Sequence, residues 1–279
     1  MKEFTGRVAV VTGGGSGIGA ALSHACSQRG MRVAVVDVER DAAEKVAAEI
    51  NESGGEAFSS VVDVRRLSEI ERLAQEVDQN FGACHLLCNN AGVLVTRSIL
   101  DLEEKDWDWS LSVNLLGPIH AVSAFLPRML SSGEEGHIVN MASMAGLVSM
   151  PHRGLGAYTT SKFALVGYSE SLRAELASKD APIGVSVVCP GAVATRIAQS
   201  ERNRPKELET GQGPTPTQAD PNTAPAQGRQ TSEEAALRIL AGVQANDAWI
   251  LTHPEMKSMV EARTSALLTA FDEAAGLVL

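Results

Sequence analysis

"RVAVVTGGGSGIGAALSHACSQRG" (7–30) joins three patterns in one stretch. The first six residues, rich in Val and Ala, read as a buried strand, and the residues from Gly17 onward read as an amphipathic helix. Between them a glycine-rich turn sets Gly13, Gly17 and Gly19 around Ser16 and Ile18. Such a turn offers backbone N–H groups and the positive end of a helix dipole to an anion, and its glycines let the backbone come close to a diphosphate. A tight glycine turn with no ligand is the plainer alternative. The strand before, the helix behind and the carboxylate of Asp37 at the end of the next strand favour a nucleotide site. The spacing is G-x-x-x-G-x-G rather than G-x-G-x-x-G. A phosphate loop of the NTPase type is excluded, because Ala20 and Ala21 stand where Lys and Ser or Thr are required. Asp37 also bears on the choice of dinucleotide. A carboxylate there accepts hydrogen bonds from the adenosine ribose hydroxyls and repels the extra phosphate of NADP. No Lys or Arg lies in the glycine turn and Val38 follows Asp37, so the expected cofactor is NAD, with Arg40 the one nearby cation weighing the other way.

The same alternation runs outward along the chain. Strand-like runs are "RVAVVT" (7–12), "RVAVVDV" (32–38), a weaker "EAFSSVVDV" (56–64), "HLLCNN" (85–90), "HIVNMAS" (137–143), "VSVVCPG" (185–191) and a short "AWILTH" (248–253). Amphipathic segments fall at 17–29, 40–52, 67–81, 106–130, 158–178 and 232–244, with a last helix from about residue 254. Strands apolar throughout are covered on both faces, and strand–helix alternation with right-handed crossovers gives a parallel sheet. The expected fold is α/β: a Rossmann-type doubly wound sheet of about seven strands with helices on both faces, in one domain over 1–279 without internal repeats. Glycine-bearing breaks at "NESGG" (51–55) and "SSGEEGH" (131–137) end helices as C-caps do. The largest break, 201–230, is rich in Pro, Gly, Thr and Gln; it is expected to be a mobile substrate loop, with linker disorder the alternative.

Bulk composition narrows the function. The chain has 279 residues, 44% hydrophobic and 21% charged, which suits a globule with an ample core. A formal charge of −10 argues against nucleic acid and anionic membranes as partners, since both need a basic patch. The four cysteines, Cys26, Cys84, Cys88 and Cys189, are too few for a disulfide framework. His85 lies between Cys84 and Cys88, but no second Cys/His pair follows, so these read as structural thiols and no metal is expected. The N-terminus has no apolar signal core and no run reaches a membrane span, so the expected compartment is the cytoplasm.

"GAYTTSKFALVGYSE" (156–170) holds both tyrosines of the chain, with Lys162 one helical turn after Tyr158 and on the same face. Together with "TGGGSGIG" (12–19), "DV" (63–64), "NNAG" (89–92), "SVN" ending at Asn114, Ser143 and "PGAVAT" (190–195), this stretch resembles the short-chain dehydrogenase/reductase family in its short single-domain branch. The motifs fall in the family's order over roughly two thirds of the chain, and the extended epimerase branch fits less well. The resemblance implies a catalytic tetrad of Asn114, Ser143, Tyr158 and Lys162. It implies that Asp63 and Val64 hold the adenine, Asp63 through its amino group. Asn90, Ala91 and Gly92 would support the middle of the cofactor, and Pro190, Gly191, Val193 and Thr195 would close over its nicotinamide. The chemistry fits these types: an unperturbed Tyr, with a pKa of ~10, is a poor base near neutrality, and a Lys ammonium and a positive nicotinamide ring both favour the phenolate. Ser143 would bond the substrate oxygen, Lys162 would also reach the ribose hydroxyls, and Asn114 would bind a water relaying protons from Lys162. Tyr168, with no such partners, reads as packing.

The segment 143–158 is slightly longer than the family usually has, and Met144, Leu147, Met150, Pro151, His152 and Leu155 are expected to line the substrate pocket. The C-terminus lacks the glycine-rich ending common in this branch; residues 249–271 are expected to serve subunit contacts or pocket closure. The expected activity is NAD-dependent interconversion of a hydrophobic or aromatic secondary alcohol and its ketone. A ketone reductase using the same site in vivo and a non-catalytic NAD-binding sensor or scaffold are the alternatives. A homodimer or homotetramer is expected through the helices that carry Asn114 and Tyr158.

Overall fold

The computed structural model describes residues 1–150, 154–211 and 230–276. Seven strands form one parallel sheet: β1 (Val8–Thr12), β2 (Arg32–Asp37), β3 (Glu56–Val61), β4 (Leu86–Asn89), β5 (Gly136–Met141), β6 (Ile183–Cys189) and β7 (Trp249–Leu251). Their order is β3-β2-β1-β4-β5-β6-β7. The helices are α1 (Gly17–Ser27), α2 (Arg40–Glu52), α3 (Leu67–Phe81), α4 (Glu104–Leu111), α5 (Gly117–Ser132), α6 (Gly156–Ser178), α7 (Ser232–Ala245) and α8 (Lys257–Ala275). The expected doubly wound architecture is borne out, with most elements within two residues of their sequence bounds.

Period-two packing explains why strands of continuous Val and Ala are stable here. Val8, Val10, Ala34, Val36 and Leu87 pack into one layer, with α3 and α5, while Ala9, Val11, Val33, Val35 and Leu86 pack into the opposite layer, with α1, α2 and α7. Each fully buried aliphatic side chain contributes on the order of 1.5–3 kcal/mol of transfer free energy. In α3 the buried Ile70, Leu73, Ala74, Val77 and Phe81 follow the helical period, and Gly82, with φ of 79°, ends the helix. A Thr231–Glu234 capping box starts α7, and Asn246 in the left-handed region ends it.

The sheet winds in opposite senses from β1 and β4, so the loops after these two strands part and leave a crevice at the strands' C-terminal ends. Thr12 and Asn90 tie the two loops together. The Thr12 hydroxyl accepts from the backbone N–H of Asn90 (3.0 Å) and Ala91 (3.2 Å), and the Asn90 side chain donates to the carbonyls of Thr12 and Gly13.

Four departures from the sequence expectations matter. The segment expected as one helix over 106–130 is α4, a π-helical turn (Ser112–Leu116) and α5; Gly117 donates to the carbonyl of Ser112, five residues back, and Pro118 follows with no N–H to give. This rod, Glu104–Ser132, is by length and composition long and apolar enough to cross a membrane, which the sequence reading did not anticipate; 56% of the window is buried in the protein, and Trp109, Phe125 and Met129 lie in its core. Within 201–230, expected as a loop, a 3-10 helix (Ile197–Asn203) and a 3-10 turn (Lys206–Leu208) pack against the body, while 212–229 lies outside the described residues. Charged side chains hold this part down together with Leu208, which packs against the core: Arg204 stacks on Trp109 at 4.3 Å, reaches the buried Asp106 at 2.8 Å and pairs with Glu201 at 2.7 Å. Finally, α8 has no buried residue and leaves Leu267, Leu268 and Phe271 exposed.

Candidate active site

A cleft of about 1020 Å³ opens at the C-terminal ends of β1, β2, β4, β5 and β6. Gly13, Ser16, Gly17 and Ile18 form its floor at one end. Gly13 has φ of 63°, and a Cβ there would stand 2.9 Å from the Ala91 backbone. Gly19 lies beneath, where a Cβ would collide with the Gly13 carbonyl and the Asn90 amide. The first turn of α1 has no capping side chain and no acidic residue, so its backbone donors face the cleft unclaimed by side chains.

At the end of β2 the Asp37 carboxylate is fixed by two backbone donors, Gly15 at 2.9 Å and Glu39 at 3.0 Å. Arg40, the cation noted in the sequence, is absent from the cleft lining and pairs with Glu44 at 3.4 Å on the outer face of α2. Asp63 and Val64 line the cleft beyond β3. Arg65 grips the Asp63 carboxylate, with Nη2 at 2.6 Å, a partner that the sequence motif did not show. Asn90, Ala91 and Gly92 line the middle of the cleft, and Pro190, Gly191, Val193 and Thr195 line its far wall. That wall is pinned from behind: Gly191 donates to His253 Nδ1 (3.1 Å) and Ser232 donates to the Ala194 carbonyl (3.0 Å).

Ser143, Tyr158 and Lys162 meet where the walls converge. Ser143, just past β5, caps a 3-10 turn by accepting from the Ala145 N–H at 3.1 Å. Tyr158 and Lys162 lie on the buried face of α6, with 8% and 3% of their surface exposed. Lys162 Nζ donates to the Met141 carbonyl at 2.7 Å and stands 5.6 Å from the centre of the Tyr158 ring. Burial pushes the Tyr158 phenol above its ordinary value, and the Ser143 hydroxyl beside it pulls the other way. Burial also lowers Lys162 to about 8. The sequence argument had Lys162 and a positive nicotinamide ring both favouring the phenolate; in the protein alone desolvation is the largest influence on Tyr158 and acts against ionisation. Tyr168 lies away from the cleft lining, packed beside the core, and burial pushes it to about 12.

Asn114 sits behind this group, fully buried in the π-helical turn. Its side chain is committed: Oδ1 accepts from Val93 N–H (2.9 Å), while Nδ2 donates to the Val93 carbonyl (3.0 Å) and Ser161 Oγ (3.1 Å). The acceptor left to this residue is its backbone carbonyl. The α-helical donor for that carbonyl would be residue 118, a proline without an N–H.

Met144, Met150 and Leu155, expected from the sequence beside the substrate, line the other end of the cleft. Leu147 instead packs beside Met144 and Leu165, and Pro151 and His152 lie outside the described residues. Sequence reasoning missed Trp109, His253, Met256 and Met259 at this end, and Glu39, Arg65, Arg196, Arg202 and Asn203 at the other. Only the atypical C-terminus hinted at Met256 and Met259. The remaining residues come together through long-range packing that no local motif encodes. Among the described residues no cluster of His, Cys, Asp and Glu could hold a metal ion, and burial raises Cys84 and Cys88 well above ordinary thiol values.

The glycine cradle, the uncapped α1 terminus and the Asp37 carboxylate fit a dinucleotide. Residues 7–206 match the family model for short chain dehydrogenases. A short chain dehydrogenase/reductase from Burkholderia phymatum, solved in complex with NAD, is 34% identical with a TM-score of 0.92, covering 97% of each chain. The "CLA biosynthesis dehydrogenase/reductase" of Lactiplantibacillus plantarum is 30% identical over 96% of each chain. The "C alpha-dehydrogenase" of a Sphingobium strain is 34% identical over 96% of this chain and 87% of its own. Solved neighbours hold NAD in some cases and NADP in others.

Proposed function

The chain belongs to the short-chain dehydrogenase family and is an oxidoreductase, and from that premise we propose that it interconverts a hydrophobic or aromatic secondary alcohol and its ketone with NAD. The observation that carries the proposal is the convergence of Ser143, Tyr158 and Lys162 at the point where a glycine-cradled, carboxylate-tipped nucleotide cleft meets an apolar, methionine-rich one. Bound NAD would supply the hydride-accepting ring and a positive charge beside Tyr158. Gly13, Ser16, Gly17 and Ile18 would hold its diphosphate and Asp37 its adenosine ribose. Asp63 and Val64 would flank the adenine, Asn90, Ala91 and Gly92 would support the middle, and Pro190, Gly191, Val193 and Thr195 would cover the nicotinamide.

The chain's own residues then move one proton. The Ser143 hydroxyl holds the substrate oxygen, and the Tyr158 phenolate takes the proton from the alcohol. Lys162 keeps a positive charge near that phenolate, and the carbonyl of Asn114 holds a water through which the proton leaves. Methionine side chains at Met144, Met150, Met256 and Met259 give a polarizable wall that adapts to a flat or bulky apolar group. Ketone reduction would use the same residues in reverse. A cytoplasmic homodimer or homotetramer is part of the same proposal. The solvent-exposed Trp249 and Leu251 on the edge strand β7, Leu116 at the end of the π-helical turn and Leu130 in α5 offer surfaces for it; light scattering reporting a monomer would remove that part.

The test is NADH absorbance with a panel of aryl and alkyl secondary alcohols, offered with NAD and with NADP. Turnover of bulky apolar alcohols with NAD is expected. Silence across the panel, with NADH binding intact, would favour a non-catalytic nucleotide sensor.

A further inference from the structure

Two arginines stand at the rim of the adenosine end, Arg196 and Arg202, and both line the same cleft as Asp37. Cations so placed would ordinarily draw a dianionic phosphate on the ribose. They are not free. Glu39, two residues past Asp37, accepts from Arg202 Nη2 at 2.6 Å and from Asn203 Nδ2 at 3.0 Å, and lies 3.7 Å from Arg196 Nη2. The bonds to Arg202 and Asn203 fasten the 3-10 helix Ile197–Asn203 across the mouth of the cleft. The carboxylate is about one quarter exposed, and its acidity rises chiefly through the Arg202 bond. The same residue's backbone N–H donates to Asp37 Oδ1. Glu39 thus orients the Asp37 carboxylate with its main chain and occupies two of the guanidiniums lining the cleft with its side chain.

Resting on the NAD reading above, we propose that Glu39 is a second cofactor-selectivity residue: it withholds Arg202 and Arg196 from a ribose 2′-phosphate while clamping the covering helix over the adenosine half. Asp37 repels the phosphate, and Glu39 denies it its counter-ions. A clamp with no electrostatic role would act on both dinucleotides alike, which separates the two roles experimentally.

The experiment is fluorescence titration of the purified protein with NADH and with NADPH, which reads binding without turnover. Glu39→Gln keeps the shape and the backbone donor, removes the charge and releases Arg202. Its NADH-over-NADPH affinity ratio is expected to fall about tenfold, mainly through tighter NADPH binding. Arg202→Gln also breaks the clamp but leaves Glu39 charged, so its ratio should stay within about twofold of the parent. Glu39→Asp should retain the parent ratio, and Glu39→Gln combined with Arg202→Gln should lose most of the NADPH gain. An unchanged ratio in Glu39→Gln, or the same shift in Arg202→Gln, overturns the proposal. A parent protein that prefers NADPH overturns the NAD reading instead, because Glu39 is judged by the change in ratio alone; a parent that binds neither overturns both.

Discussion

At the adenosine end of the cleft, Asp37, Glu39, Asp63, Arg65 and Arg202 are each held by named hydrogen bonds of 2.6–3.0 Å. At the opposite end, the one proposed to take the alcohol, Met144, Met150, Leu155, Met256 and Met259 line the cleft without a polar anchor of their own, and the last two stand at the start of a helix with no fully buried residue. The first end is set by single atoms in fixed places. The second is set by the summed shape of flexible side chains. Selectivity for cofactor should therefore hinge on one or two charges, while selectivity for substrate should be shared and forgiving. Ser143, Tyr158 and Lys162 stand at the boundary between the two.

The contrast can be broken or sharpened by substitution. Lys162→Ala strikes the boundary and should lower kcat by about 10³-fold, the middle of the range for losing support of a proton transfer. NADH affinity should change far less in that variant; a larger loss of binding than of kcat would make Lys162 a cofactor residue only. Asp37→Asn should cut the NAD-over-NADP ratio in kcat/KM by about thirtyfold, a few kcal/mol of lost charge repulsion and ribose bonding. An unaltered ratio would mean that the adenosine end does not select by charge.

The two ends should also part company with pH. Glu39 has a lowered pKa, so its ion pair is fully formed above the ordinary carboxylate value of 4.5 and fails only as pH falls through that lowered value. Between about pH 5.5 and 7.5 the NADH dissociation constant should change less than about twofold. Tyr158 has a raised pKa in the protein alone and must lose its proton to act, so kcat/KM for alcohol oxidation should climb over the same interval, by up to about tenfold per unit. A flat profile would remove Tyr158 from the role of base. At the methionine-lined end, Met150→Ala should raise KM for a bulky alcohol by about fivefold, below the ~tenfold that a rigid pocket loses with one methylene because the neighbouring methionines adapt, and leave NADH binding unchanged. The smallest effect is expected from salt: raising ionic strength from about 0.05 to 0.5 M should weaken NADH binding about twofold by screening the rim charges, with KM for the alcohol unmoved.

The same division explains how much could be read from the chain itself. The fold and the nucleotide cradle follow from local patterns: Val and Ala runs that alternate between two buried layers, and glycines where a Cβ would meet backbone. Tyr158, Lys162 and Ser143 carry short-range signatures as well. Glu39 and Arg202 lie 163 positions apart, and Arg204 reaches Asp106 across 98. No window on the sequence holds both members of such a pair, so the packed part of 201–211 read as a loop. The π-helical turn at Asn114 was equally hidden, since Gly117 and Pro118 look like ordinary helix punctuation until Gly117 is seen against Val64. Met256 caps, and Met259 belongs to, a helix whose composition gives no sign of which turn faces a cleft.

Tyr158→Phe tests the central claim most directly, because it removes one oxygen from the boundary and nothing from either end. Turnover of a secondary alcohol with NAD and NADH binding by fluorescence should be measured on the same preparation. A loss of turnover of about 10³-fold or more, with NADH affinity within about twofold of the parent, is the expected result. Turnover within about tenfold of the parent would contradict Tyr158 as the proton acceptor and, with it, the reaction proposed for this cleft.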